Sequence, residues 1–345
     1  MSIDPRFESA RTWLEQRTET LAQSGWAIHP DSLRPASSDA SFRRYFRVDG
    51  EHHGRPSQMI LMDAPPEKEA IEPFVRVDEL FARAGLNVPH LWAYDTTLGF
   101  LLCSDLGTTT YAARLQELGH AAEACDGLYR DAWQALIQLQ RFDPHGDPSA
   151  ALPPYDHARL LQEMRLFDEW YLTRHRPTTL SPSERDGLLS IYERITHACL
   201  TQPQVIVHRD FHSRNLMVTQ DRNPGVLDFQ DAVVGPITYD LVSLLRDAYV
   251  QWPEEVQIDW AVRYWQDARK AGLPVAADFS DLWRDIEWMG LQRHLKVLGI
   301  FARLYYRDGK ENYLKDIPLV WQYAHSVARR YQGLGPLAKL LERCA

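Results

Sequence analysis

The run His208-Arg209-Asp210-Phe211-His212-Ser213-Arg214-Asn215, followed by Val226-Leu227-Asp228-Phe229, constrains this chain more than any other stretch. It sets Asn215 five residues after Asp210, and Asp228 eighteen after it. The neighbouring residues say how the backbone carries these groups. Val205-Ile206-Val207 is a short apolar strand ending at the histidine, and Leu216-Met217-Val218 is a second. Val226-Leu227 is a third, which delivers Asp228, and Asn223-Pro224-Gly225 is the turn that leads into it. Two hairpin strands therefore aim Asn215 and Asp228 at one point. A carboxylate that can receive a hydroxyl proton, beside two oxygen ligands for Mg²⁺, is what phosphoryl transfer from a nucleotide requires. Asp210 is the expected catalytic base, and Asn215 and Asp228 are the expected metal ligands. A bare HxD is common, but the full spacing with strands in these places is a specific pattern.

These residues resemble the kinase-like fold, in particular the aminoglycoside phosphotransferase branch of small-molecule kinases. Three further stretches are similar, more narrowly, to the bacterial anomeric kinases of N-acetylmuramate and N-acetylglucosamine in cell-wall recycling. They are Ser37-Ser38-Asp39-Ala40-Ser41-Phe42-Arg43-Arg44-Tyr45-Phe46, Leu61-Met62-Asp63-Ala64-Pro65-Pro66-Glu67, and the run from Gln292 to Leu304. The resemblance implies an α+β, bilobal, protein-kinase-like fold. A small sheet-plus-helix lobe would occupy residues 1–104 and bind the nucleotide; a larger, mostly helical lobe over 105–345 would bind the acceptor. It implies ATP and Mg²⁺ as cofactors, a small-molecule sugar as partner, and a sugar 1-phosphate as product in peptidoglycan recycling. Other acceptors of the same fold (an aminoglycoside, an amino alcohol or homoserine) and a nucleotide-binding pseudokinase are the alternatives.

Composition narrows the partners. With 47 acidic against 38 basic residues the net charge is −9, which argues against nucleic acid or an anionic membrane as main partner. The four cysteines are scattered without metal-type pairing and read as reduced thiols. No stretch approaches the ~20 apolar residues of a membrane span, and no basic-then-apolar leader opens the chain. A soluble cytoplasmic protein is expected; nothing indicates its oligomeric state. An amphipathic helix is expected over 8–24, with Trp13, Leu14 and Leu21 inward. Strands are expected at 44–48, 59–62, 90–94 and 100–103, with one helix over 69–84 between them. Helices follow over 108–118, 121–142, 156–174 and 182–200, and four or so more fill 237–331.

The remaining site residues follow from this layout. A short extended connector at 104–107 suits backbone recognition of adenine, which assigns Ser104 and Leu106 to the nucleotide. Segment 37–46 lies where a glycine-rich phosphate cover would be, yet contains no glycine. Ser38 and Ser41 can still close a tight turn and offer hydroxyls to the phosphates. Kinases of this fold project a lysine from the strand that here reads Met59-Ile60-Leu61-Met62-Asp63, with Glu79 as the usual type of helix partner. Lys68 is the only lysine before Lys270, so either an arginine (Arg43, Arg44 or Arg47) supplies the charge, or Lys68 curls back, or the site binds phosphates poorly. Arg44 is preferred, on the strand face shared with Phe46 and Val48. His208 organises the loop, and Asp240 ties the next helix to it. The short spacing from Asp228 to Asp240 leaves no room for a long activation loop, which favours a small acceptor over a peptide. His212 and Asp231 flank the centre and are assigned to that acceptor. Arg293 and Arg303 share one helical segment that is either a solvated basic face or a cationic wall for the lactyl carboxylate of N-acetylmuramate.

Overall fold

A computed structural model describes residues 4–38, 42–143 and 151–344. The first third forms an antiparallel sheet with both faces covered. Helices α1 (Pro5–Glu15) and α2 (Thr18–Gln23) lead into β1 (Trp26–Ile28), β2 (Arg34–Ser38), β3 (Arg44–His52) and β4 (Arg55–Asp63). After α3 (Glu72–Arg83) come β5 (Leu91–Asp95) and β6 (Phe100–Ser104). The strand order is β1-β3-β4-β6-β5, with β2 also on β3. Successive side chains in a strand point to opposite faces. Phe46, Val48, Met59, Leu61, Phe100 and Leu102 therefore form one layer, and Trp13, Leu14 and Leu21 of α1 and α2 seal it. Met62, Leu101 and Cys103 face the other way, onto Phe74, Val77, Leu80 and Phe81 of α3. This second core continues from α3 into the helical part of the chain.

That part comprises α4 (Tyr111–Glu117), α5 (Ala122–Gln140), α6 (His157–Leu166), α7 (Pro182–Leu200), α8 (Tyr239–Leu245), α9 (Glu254–Lys270), α10 (Phe279–Asp308), α11 (Ile317–Arg330) and α12 (Gly335–Arg343). A nine-residue π-helical stretch, Phe167–His175, prolongs α6. The thirty-residue α10 is the spine, packed against α6, α7, α8 and α11. Between α7 and α8, β7 (Gln204–Val207) pairs with β10 (Val233–Pro236), and β8 (Leu216–Met217) pairs with β9 (Gly225–Val226).

The α+β, kinase-like architecture is the one expected. The helix expected over 8–24 is in fact two, broken after Glu15, although its inward residues are as read. The strands β2 and β10 carry Pro, Ser or Gly, and β1 is only three residues long, too short to show a period; none of the three was expected from the sequence. All four cysteines are buried free thiols. Among the described residues, no helix is long and apolar enough to cross a membrane.

Candidate active site

The two small ladders hold the motif. Asp210 lies in the loop after β7, Asn215 immediately before β8, and Asp228 two residues after β9. Asn215 Nδ2 donates to the Asp210 carbonyl at 3.0 Å and to Asp228 Oδ2 at 3.1 Å, which draws the three residues together. Gln230 Nε2 donates to the other Asp228 oxygen at 2.9 Å. Arg209 and Asp228 adopt φ of 79° and 63°, a region costly for residues with a Cβ and concentrated at functional sites. The loop is tied down by carboxylates seven residues apart. Buried Asp240 accepts the N–H groups of His208 and Arg209 at 2.6 and 2.9 Å. Buried Asp247 accepts the N–H and hydroxyl of Ser213 at 3.0 and 2.5 Å. His208 Nδ1 accepts the Asp210 N–H, and Nε2 meets the Leu227 carbonyl at 3.0 Å. Burial pushes the imidazole pKa down to about 4, so it braces the loop as a neutral ring.

Beneath Asp210 lies a buried cationic cluster. Lys296 Nζ sits 3.0 Å from Glu163 Oε1 and 3.0 Å from the Tyr239 hydroxyl. Arg209 Nη2 reaches the same Glu163 oxygen at 2.5 Å, and the Tyr155 hydroxyl donates to the other. Arg293 Nη1 donates to the Arg209 carbonyl at 3.3 Å. Burial alone would raise the Asp210 pKa, but Lys296 first, then Arg293, His212 and Arg209, hold it well below the ordinary carboxylate range. Among the described residues nothing hydrogen-bonds that carboxylate. It stays ionised and open to an acceptor hydroxyl.

Next to this centre a cleft of 370 Å³ separates the sheet from the helical part. Tyr45, Arg47 and Ile60 line its roof, and Met217, Leu227, Asn215 and Asp228 its floor. Ser104, Asp105 and Leu106 form its back edge. Gly107, at φ 97°, turns the chain out of the connector, and its N–H donates to Asp105, which is paired with Arg47. An apolar slot of this size with backbone at one edge and oxygen ligands at the other suits a nucleotide. The Asn215 amide oxygen and the Asp228 carboxylate fit an Mg²⁺ ion, which prefers few protein oxygens and completes its shell with phosphates and water. Among the described residues no cluster of three or more His, Cys, Asp or Glu competes as a metal site.

The structure therefore gathers Asn215, Asp228, Ser104 and Leu106 around one cleft, with Asp210 held beside it through Asn215. His212 is close by, its buried Nδ1 without a hydrogen-bond partner and its ring against Tyr249 at 5.3 Å. Asp231 is exposed, three residues beyond Asp228. Ser41 lies outside the described residues, and of Ser38 only the backbone is described, opposite Arg44 at the end of β2.

Three expectations are corrected. Arg44 does share a strand face with Phe46 and Val48, but that face meets α1; its guanidinium pairs with Asp63 and Asp4. The cleft belongs to the alternate face, of Tyr45 and Arg47. Arg293 is only 4 % exposed and braces the catalytic loop from behind, so it forms no wall for an acceptor. Arg303 is ten residues further along α10, roughly 15 Å away by helical rise, among Arg307, Asp308 and Glu169. Glu79 is exposed on α3, and it is Glu69, in the link before α3, that pairs with an arginine, Arg43.

The sequence reading also missed the Glu163–Lys296–Arg209 cluster and Arg214. The Arg214 guanidinium lies 3.4 Å over the Tyr249 ring, and its side chain is 41 % exposed at the mouth of the cleft. The available signal for the cluster was ionisable residues at inward helical positions: Glu163 beside Leu160 and Met164, and Lys296 between Leu295 and Val297.

Comparison with known proteins agrees with this geometry. Residues 32–279 match the model of the phosphotransferase enzyme family. A protein of Pseudomonas putida named N-acetylmuramate/N-acetylglucosamine kinase is 44% identical over 98% of this chain and 96% of its own. One of the same name from Neisseria meningitidis serogroup B is 47% identical over 91% of this chain and 92% of its own. Among solved structures, the ADP-bound aminoglycoside phosphotransferase APH(2'')-Ib superposes with a TM-score of 0.56 at 17% identity, covering 94% of this chain and 99% of that one. The choline kinase LicA from Streptococcus pneumoniae gives 0.60 at 12% identity, covering 92% and 99%. At those identities the structures speak for the fold alone.

Proposed function

The chain belongs to the phosphotransferase enzyme family, and we propose that it transfers the γ-phosphoryl group of ATP to the anomeric hydroxyl of N-acetylmuramate and N-acetylglucosamine. The observation that carries this reading is the convergence of Asp210, Asn215 and Asp228 on one cleft, in a chain whose near-full-length relatives bear that kinase name. Adenine would lie against Ser104 and Leu106, with the phosphates extending toward Asp228 and with Ser38 and Ser41 as further proposed phosphate contacts. Asn215 and Asp228 would hold Mg²⁺, which neutralises charge on the phosphates when bound. Asp210 accepts the hydroxyl proton and, because the transition state is loose, orients that oxygen for in-line attack as much as it deprotonates it. His212 and Asp231 contact the sugar. The stacked Arg214, at the cleft mouth on the catalytic loop, takes over the carboxylate-reading role first assigned to Arg293 and Arg303. The cytoplasm, where ATP is available, is the proposed setting.

The test is product identity. The protein is incubated with ATP, Mg²⁺ and each sugar, and phosphorus–proton coupling locates the phosphate. A glycosyl 1-phosphate, stable to base and labile to mild acid, is expected; a 6-phosphate refutes the anomeric assignment. Asp210→Asn should lower turnover at least ~100-fold while leaving the fold intact, on the scale of general acid–base catalysis. Near-normal turnover by that variant would remove Asp210 from the mechanism.

A further inference from the structure

The strand that would carry a phosphate-binding lysine, β4, presents its next-to-last residue, Met62, toward the core and has no lysine at all. A buried cation nevertheless bonds to Tyr45, a residue of the cleft lining. Arg43 stands immediately before β3, beyond the last rung of the β3–β4 ladder, Arg44 with Asp63. By strand alternation it shares the face of Tyr45 and Arg47, both of which line the nucleotide cleft. It is 6 % exposed, whereas neighbouring Arg44 is partly exposed and paired with Asp63 and Asp4, and Lys68 is exposed. Its guanidinium is paired with Glu69, in the link between β4 and α3.

We propose that Arg43, oriented by Glu69, is the phosphate anchor of this kinase, replacing the absent strand lysine and its helix-borne acid. The inference rests on the nucleotide-cleft reading above and names the residue that makes it work. Taking an arginine out of water is expensive unless partners compensate. Burial opposes the charge on Arg43, yet Tyr45, Glu69 and, from the catalytic side, Asp228 more than restore it, raising its pKa. The guanidinium is thus close enough to Asp228 to feel its field, and the metal-bound phosphates of a nucleotide would lie in that same field. Arginine's planar fork can grip two phosphate oxygens at once, and Glu69 fixes the fork's direction before the nucleotide arrives. The arrangement moves the cation from mid-strand to strand entrance while leaving it on the cleft side of the sheet.

The experiment measures binding of Mg·ADP and of adenosine by calorimetry, without any sugar, to the wild type and to Arg43→Met, Arg43→Lys, Glu69→Gln, Arg44→Met and Lys68→Met. Charge-assisted hydrogen bonds of ~1.5–3 kcal/mol correspond to a loss of about 10- to 100-fold in Mg·ADP affinity for Arg43→Met. Adenosine affinity should stay within about 2-fold, since adenine sits at the opposite end of the cleft. Arg43→Lys should recover part of the loss, and Glu69→Gln should weaken Mg·ADP but not adenosine. Arg44→Met and Lys68→Met should match the wild type for both ligands. Equal losses of Mg·ADP and adenosine, no loss at all, or an ADP-specific loss in Lys68→Met instead would each overturn the proposal. Should Arg43→Met fail to fold, Arg43→Lys and Glu69→Gln decide alone: wild-type Mg·ADP affinity in both refutes it. A wild-type protein that binds neither ligand would instead refute the kinase reading, because that result does not depend on Arg43.

Discussion

Replacing Gly299 by alanine should destabilise the protein, against the intrinsic preference of helices. In an exposed helix, Gly→Ala gains up to ~1 kcal/mol. Gly299 lies inside α10, where the spine crosses the end of α6. An added Cβ would fall 2.2 Å from the Leu166 carbonyl carbon, 2.3 Å from its oxygen and 2.6 Å from its Cβ. Comfortable contact begins near 3.4 Å, so the helices must part by about 1.2 Å. Two of the three obstructing atoms are backbone, so no side-chain rotation relieves the clash. Overpacking of this kind costs ~1–3 kcal/mol, and more where backbones must separate. The net expectation is a loss of ~1–2 kcal/mol, measured by urea unfolding followed through tryptophan fluorescence. The same contact couples stability to activity. Leu166 follows Glu163 by three residues and Gly299 follows Lys296 by three, so both ion-pair partners sit one turn from the crossing. Parting the helices pulls at the 3.0 Å contact between Lys296 and Glu163, beneath Asp210. Turnover should therefore fall several-fold at temperatures where the variant is still folded. Wild-type or greater stability for Gly299→Ala would show that α10 does not depend on this close approach.

Two further outcomes concern charge. Lys296→Met removes the strongest of the cations that hold the Asp210 pKa down; the acid limb of kcat should then move to higher pH, by roughly 1–3 units on the usual scale for an adjacent opposite charge. An unmoved limb would detach Asp210 from that cluster. Asp78, buried in α3 with its Oδ1 lacking a hydrogen-bond partner, is pushed by burial up to about 8, well above its unfolded value. Its raised pKa means that its share of stability is complete below about pH 4 and is lost as pH rises through 8, at ~1.4 kcal/mol per pH unit between. Asp78→Asn should flatten that part of the stability–pH curve in urea titrations, and an unchanged slope would show that the carboxyl ionises without cost.

The catalytic centre was legible because it is local. Asp210, Asn215 and Asp228 fall within nineteen residues, and two short ladders convert their spacing directly into geometry. The cluster beneath them is assembled from α6, the catalytic loop and α10. No spacing rule connects Glu163 with Lys296, 133 positions apart. Its trace in the sequence was a charge on an apolar stripe, which signals a buried network but not its partner. The basic run on α10 was read as either a solvated face or an acceptor wall, and Arg293, His294 and Lys296 form neither, because they are buried in the helical core.

The choice between Arg43 and Arg44 failed for a different physical reason. Strand alternation correctly says that the two point opposite ways, and that Arg44 goes with Phe46 and Val48. It does not say which face meets the nucleotide when both faces are buried. Phe46 and Val48 do point into an interior, but it is the one sealed by α1, and an amphipathic helix near the start of the chain was the clue that a second interior existed. A helix-covered outer face leaves Tyr45, Arg47 and the residue before them as the cleft side. The presence of Trp13 and Leu14 on that helix thus bears on which arginine meets a phosphate some thirty residues later. Arg303 shows the matching limit for helices. Sharing a helix with Arg293 says nothing about sharing a site, because ten residues carry a side chain roughly 15 Å along the axis and nearly three turns from its starting neighbours.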